Sequence, residues 1–189
     1  AGNLTKTVPP KAVRLLNETD GSEYPNHIEA LSTTYKYNSL NQKLYRRTPD
    51  GGITKWCYDH LGRVILSQDA LQLANNERNY ILYDSRGRTT QSGVVGGASG
   101  FNEMIEKGNV NFYNEFMPRM RSRDPKFYVK EVNRIVYDKA IADLIISTQF
   151  SKKQSFMRNR ISSVQYTEGR TIPFDMDGTV FGESTRRLS

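Results

Sequence analysis

The chain writes Tyr-Asp-x-x-Gly-Arg twice, in "WCYDHLGRVILSQ" (residues 56–68) and in "ILYDSRGRTTQSG" (residues 81–93). A looser copy, "YKYNSLNQKLYRRTPDGG", precedes them, so Tyr37, Tyr58 and Tyr83 fall 21 and 25 residues apart. A period in this range means that one supersecondary unit is used several times and buries its apolar face against its neighbours.

Each unit has the same grammar. An alternating segment (Thr33–Tyr37, Thr54–Tyr58, Asn79–Tyr83) runs into Asn38, Asp59 or Asp84. After two intervening residues comes Asn41, Gly62 or Gly87, and Arg63 and Arg88 follow the two glycines. Asp or Asn at a strand end accepts bonds from its own backbone further on, and Gly or Asn tolerates the positive φ of a tight reversal. Period-two alternation then resumes at Lys43-Leu44, Arg63-Val64-Ile65 and Arg88-Thr89-Thr90. Each unit therefore reads as a β-hairpin, with Asp50-Gly51-Gly52 as the turn joining the first to the second. A lone hairpin is marginal in water, so the hairpins must pair edge to edge. The expected fold class is mainly β.

These residues carry a resemblance. "YNSLNQKLYRRTPDGG", "CYDHLGRVILSQ" and "LYDSRGR" look like the Rhs/YD-repeat family, specifically over residues 31–92, the repeat positions being Tyr37, Asn38, Asn41, Tyr58, Asp59, Gly62, Arg63, Tyr83, Asp84, Gly87 and Arg88. The resemblance implies tandem hairpin repeats forming a curved sheet or part of a spiral shell, in a secreted or cell-surface bacterial protein, with a C-terminal toxin or other cargo enclosed in some members. It implies no catalysis by the repeats and no cofactor. Free sheet edges would be met by the remainder of a larger chain or by another protein. The first unit departs from the motif with Asn38 for Asp and Asn41 for Gly, which keep the turn chemistry.

The segments divide as 1–30 (lead-in), 31–92 (hairpins), 93–130 (linker and insertion) and 131–189 (a further repeat-like segment). Residues 1–30, with Pro9-Pro10, Asp20-Gly21 and Pro25-Asn26, read as an extended lead-in with a turn. Gly93–Gly100, "GVVGGASG", reads as a loop closing the hairpin block, followed by a helix over Phe101–Lys107 capped by Ser99 and ended at Gly108, then a strand over Val110–Met117. Val129, Val132, Val136, Ala140 and Leu144 recur at helical spacing, yet Tyr137-Asp138 follows an alternating stretch like a fourth strand end. The expectation is a strand near Val132–Tyr137, a helical insertion around 139–150, and a strand over Arg160–Tyr166.

Rival functions have specific residues behind them. Of 189 residues 27 are basic and 20 acidic, net +7, with cations gathered at Arg119–Lys130 and at Lys152–Arg160. No aromatic-basic signature of a nucleic-acid module accompanies them, so no specific nucleic-acid partner is expected. Eleven Tyr and one Trp suit a sheet face that recognises carbohydrate or an anionic surface polymer, and they suit plain sheet packing equally well. "PFDMDGTVFGES" (residues 173–184) reproduces the Asp-x-Asp-Gly-Thr signature of haloacid-dehalogenase-type phosphatases, with Asp175 as nucleophile, Asp177 as acid and base, and Mg²⁺. The polar, Pro-bearing Gly169–Pro173 before it is unlike the buried parallel strand that chemistry requires. Cys57 stands alone and reads as a buried hydrophobe, and His27 and His60 have no partner in sequence. No metal site and no membrane span is expected.

Overall fold

The computed structural model describes residues 2–17, 25–97, 100–121, 126–138, 158–171 and 185–188. The protein is mainly β. Its elements are β1 (Lys6–Thr7), α1 (Pro10–Asn17), α2 (Pro25–Leu31), β2 (Thr33–Tyr37), β3 (Lys43–Thr48), β4 (Gly52–Tyr58), β5 (Val64–Gln68), α3 (Ala70–Ala74), β6 (Glu77–Tyr83) and β7 (Thr89–Gly96). There follow α4 (Phe101–Lys107), a π-helical turn (Phe112–Phe116), α5 (Met117–Met120), β8 (Tyr128–Tyr137), β9 (Ile161–Thr171) and β10 (Thr185–Leu188). Two compact units result: residues 1–78 with 99–119, and residues 79–98 with 120–189.

In the first unit β1 to β5 lie side by side in chain order, each antiparallel to the next. From β2 to β5 the sequential order follows from the connections, which are too short to let a strand pair anywhere but beside its predecessor; β1 joins β2 across residues 8–32. One face of β4 and β5 carries Cys57 and Leu66, paired across the ladder and fully buried. Helix α4 packs on these strands and adds buried Phe101, Met104 and Ile105. The π-helical turn completes the cluster: Phe116 lies 6.3 Å from Phe101 edge to face and 5.6 Å from Phe112. Burial pushes the Cys57 thiol up to about 12, so the cysteine is a packing residue at neutral pH. Helix α3 begins with a capping box, in which the Asp69 side chain accepts from the Gln72 N–H at 2.8 Å and the Gln72 side chain from the Asp69 N–H at 3.1 Å.

In the second unit most of β6 adjoins β7, and β7 to β10 again follow chain order, antiparallel where their registers are resolved. Tyr80, Val94, Val95, Phe127, Val129 and Val132 form the core. Gln91 donates to the Tyr80 hydroxyl at 2.6 Å, and burial pushes that phenol up to about 12.

Four expectations need correction. The lead-in is not merely extended: α1 opens on Pro10 and α2 on Pro25, each proline at a first helical position where its missing N–H costs nothing. Gly93–Gly96 is the end of β7 and not a loop. Small residues are needed there because rings lie across the strand: a Cβ on Gly96 would sit 2.4 Å from the Tyr128 ring, and one on Gly93 would sit 3.1 Å from Tyr80. Val110–Met117 is not a strand. Asn111 caps the turn, its side chain accepting from Tyr113 and Asn114, and Phe112 and Phe116, four apart, enter one core. Gly100, with no side-chain cap, stands at the N-cap of α4, and Ser99 lies outside the described residues.

Strand β8 is longer than expected and explains the helical spacing of its valines. Glu131 has φ 52° and sits in a bulge against β7, which advances two residues from Ser92 to Val94 while β8 advances three between their partners Asn133 and Lys130. Two residues then oppose one, so Val129 and Val132, three apart, are both buried. β9 extends beyond the expected Arg160–Tyr166, to Thr171. The helix expected around 139–150 lies outside the described residues.

Gly97 has φ 76°, and a Cβ there would stand 1.7 Å from the Lys126 carbonyl oxygen. Gly97→Ala is expected to cost about 2–3 kcal/mol in urea unfolding. Gly2→Ala, whose Cβ meets nothing within 4 Å, is expected to change nothing measurable.

Candidate functional site: the Asx-closed turns

The repeat residues converge on the ends of three hairpins, and their hydrogen bonds superimpose term by term. In the β4–β5 turn the Asp59 N–H donates to the Arg63 carbonyl at 2.9 Å and the Gly62 N–H to the Asp59 carbonyl at 3.0 Å. Asp59 Oδ1 accepts from the Leu61 and Arg63 N–H groups, both at 2.9 Å. Its Oδ2 takes Arg63 Nε at 2.7 Å and Nη2 at 2.6 Å. A carboxylate with no solvent exposure is thereby satisfied by two backbone donors and one fork.

The β6–β7 turn repeats this. Asp84 N–H donates to Arg88 O and Gly87 N–H to Asp84 O, both at 3.0 Å. Asp84 Oδ1 accepts from Arg86 and Arg88 N–H at 2.9 Å each, and Oδ2 from Arg88 Nε at 2.7 Å. The β2–β3 turn is the neutral version: Asn38 Oδ1 accepts from Leu40 and Gln42 N–H at 3.0 and 2.9 Å. Asn38 Nδ2 donates to Gln42 Oε1 at 2.6 Å. A carboxamide pair thus stands where the other turns have a carboxylate and a guanidinium. The reversal needs positive φ at one position, and Asn41, Gly62 and Gly87 supply it at 60°, 80° and 79°.

A fourth closure joins the end of β8 to the start of β9. Asp138 N–H donates to Arg160 O at 3.2 Å and Asn159 N–H to Asp138 Oδ1 at 2.6 Å, with Asn159 at φ 59°. Asn159 and Arg160 stand where Gly62 and Arg63 stand in the second turn. The guanidinium on this carboxylate comes from the preceding turn: Arg88 Nη2 reaches Asp138 Oδ2 at 2.7 Å, and Arg86 Nη1 reaches Asn159 Oδ1 at 2.8 Å. The ladder registers match as well. Tyr37 pairs Lys43, Tyr58 pairs Val64 and Tyr137 pairs Ile161, each beside a one-residue slip.

The tyrosines of the units do different work. The Tyr58 hydroxyl donates to the Lys43 carbonyl at 2.9 Å, tying the second turn to the base of the first. Its backbone also bridges to the segment after α4, through Gly108 O and Val110 N. Tyr137 receives Arg88 on its ring at 4.2 Å. Tyr37 and Tyr83 are half-buried.

For Asp84, burial pushes the carboxyl up, but the bonds from Arg88 and Arg86 outweigh it and hold the group below its ordinary 3.8. Asp138 is also lowered, chiefly by the Arg88 side chain and then by the Asn159 N–H. Arg88 is raised in turn by Asp138 and Asp84. The donors around Asp84 and Asp138 thus favour the carboxylate form of both groups.

The sequence placed the Asx, Gly and Arg positions but not Gln42, Arg86 or Asn159. Gln42 was findable, since it lies four residues after Asn38 as Arg63 does after Asp59. Asn159 was hidden by the 20 residues separating it from Asp138. His60 is exposed at the second turn. Asp175 and Asp177 lie outside the described residues, as do Lys152 and Lys153. Among the described residues no three His, Cys, Asp or Glu gather to hold a metal, and no helix is long and apolar enough to cross a membrane. No protein-family model matches the chain, and no curated protein matches it significantly.

Asp59→Ala leaves two backbone N–H groups without their acceptor and takes the carboxylate from the half-buried Arg63 guanidinium, and is expected to cost about 3 kcal/mol in chemical denaturation. Asp59→Asn combined with Arg63→Gln copies the Asn38–Gln42 pair and is expected to recover all but about 1 kcal/mol. Acid acts on the third and fourth turns. Asp84 and Asp138 titrate lower in the fold than in the unfolded chain, so their stabilisation is present above pH 3.8 and is lost as pH falls through the folded values. The urea midpoint should therefore drop below about pH 4, and Asp138→Asn should flatten that drop; parallel pH profiles would refute the assignment.

Proposed function

We propose that this chain is a structural, non-catalytic segment of an Rhs/YD-repeat protein, in which tandem hairpins build a curved wall that encloses or carries cargo. The observation that supports the reading is the recurrence of one hydrogen-bond set, Asx side chain to the second and fourth following amides with positive φ between, at Asn38, Asp59 and Asp84. The partial recurrence at Asp138 and Asn159 extends it. Identical closures at successive strand ends suit a building element that is added unit by unit, since each turn fixes the register of the next strand without outside help.

On this reading the strand edges are met by further units of the same polypeptide or by another protein. The parent is secreted or exposed at a bacterial cell surface, and the repeats position a toxin or other passenger without acting on it. The proposal assigns no reaction to Asp175 and Asp177.

The test is made on the native polypeptide. An antibody raised against residues 43–58 should isolate a chain containing many further Tyr-Asp units, with a passenger region that resists protease until the wall is unfolded by mild denaturant. A passenger cleaved as fast in the native protein as in the denatured one would contradict containment. Release of phosphate from p-nitrophenyl phosphate with Mg²⁺, abolished by Asp175→Asn, would replace the proposal with the phosphatase reading.

A further inference from the structure

Several cations of the first unit face carboxylates. Lys6 pairs with Glu29, Lys55 with Glu106 and Arg63 with Asp59. Lys43 and Arg46 have no carboxylate partner among the described residues and stack on rings instead. Lys43 Nζ lies 5.3 Å from the Tyr35 ring centroid and 5.7 Å from that of Trp56, and the Arg46 guanidinium lies 5.8 Å from Trp56. Arg46 Nε is buried with no hydrogen-bond partner.

Register places this group on one face. Tyr35 pairs Arg46 and Arg46 pairs Thr54, and Trp56 is two residues beyond Thr54 on the same strand. Lys55, between them, points the other way and reaches Glu106 of α4. The ladder of Tyr35, Lys43, Arg46 and Trp56 therefore lies on the face opposite α4, and all four side chains are half-buried. Alternation adds Thr33, Thr48, Thr54 and Ser67 to this face of β2 to β5, and no acidic residue.

We propose that this face docks an acidic polysaccharide, one bearing carboxylate or sulfate groups on pyranose rings. The apolar C–H face of a pyranose stacks on Tyr and Trp rings, while its anions meet Lys43 and Arg46, which have no carboxylate partner among the described residues. Tyr35 and Trp56 are two strands apart, about 10 Å, so two rings of one linear sugar chain reach both. The Thr33 and Thr54 hydroxyls supply neutral donors and acceptors for sugar hydroxyls. A neutral glycan would leave both cations unmatched. The site is independent of the wall-building proposal, because it is complete within β2, β3 and β4.

Trp56 is the only tryptophan, so its emission reports occupancy directly. Titration of the whole chain with a heparin-derived octasaccharide is expected to shift that emission saturably, and neutral dextran at equal sugar concentration is expected to leave it unchanged. Lys43→Gln with Arg46→Gln should weaken binding about tenfold or more, whereas Lys36→Gln with Arg47→Gln, the same loss of charge from the opposite face, should change it less than about twofold. Circular dichroism verifies that both variants fold. Equal affinities of the two double variants would overturn the proposal. So would an equal response to dextran, or tighter binding of single-stranded oligothymidylate than of the octasaccharide.

Discussion

An Asx side chain that accepts two backbone N–H groups of its own turn is the interaction on which the rest of the described structure depends. A hairpin end exposes amide donors that neither strand can satisfy, and each one left buried and unbonded costs about 1–3 kcal/mol. Asn38, Asp59 and Asp84 absorb the second and fourth following amides in one oxygen. The turn is thus closed by its own residues and fixes where the returning strand starts. Register follows from that starting point: Tyr37 opposite Lys43 and Tyr58 opposite Val64 are the same relation twice.

What varies between the turns is the partner of the second Asx oxygen or nitrogen. Gln42 serves Asn38, Arg63 serves Asp59, and Arg88 serves Asp84 and reaches on to Asp138. Charge is therefore optional to the closure, while its hydrogen-bond geometry is not. Arg88 shows what charge adds: with a carboxylate on each side and the Tyr137 ring against it at 4.2 Å, one guanidinium couples two turns within the second unit. The acid response expected of these turns belongs to that coupling.

How much of this the sequence discloses depends on whether a signal is local. Asp59, Gly62 and Arg63 are legible because the turn uses residues within four positions of each other, and the strands before and after it alternate. The fourth closure was only half legible: Tyr137-Asp138 reads as a strand end, but its counterpart Asn159 lies 21 residues further on. The β8 valines misled because the bulge at Glu131 shifts the phase of alternation and imitates a helical period. Gly93–Gly96 read as a loop because the need for small residues comes from the Tyr80 and Tyr128 rings, which arrive from neighbouring strands. Phe112 and Phe116 carried a helical spacing that alternation at Val110 masked. The cation and ring ladder of Tyr35, Lys43, Arg46 and Trp56 was beyond sequence reasoning, since only strand pairing brings those residues together.

Native-state amide hydrogen exchange tests the central claim most directly. Turn amides in an ordinary surface reversal exchange quickly, whereas amides held by an Asx side chain open only when the hairpin does. The account predicts that the Gln42, Arg63 and Arg88 amides are protected to the level of the adjoining strands, while those of Ser39, His60 and Ser85 exchange rapidly. Exchange of Gln42, Arg63 and Arg88 as fast as that of their turn-tip neighbours would contradict it.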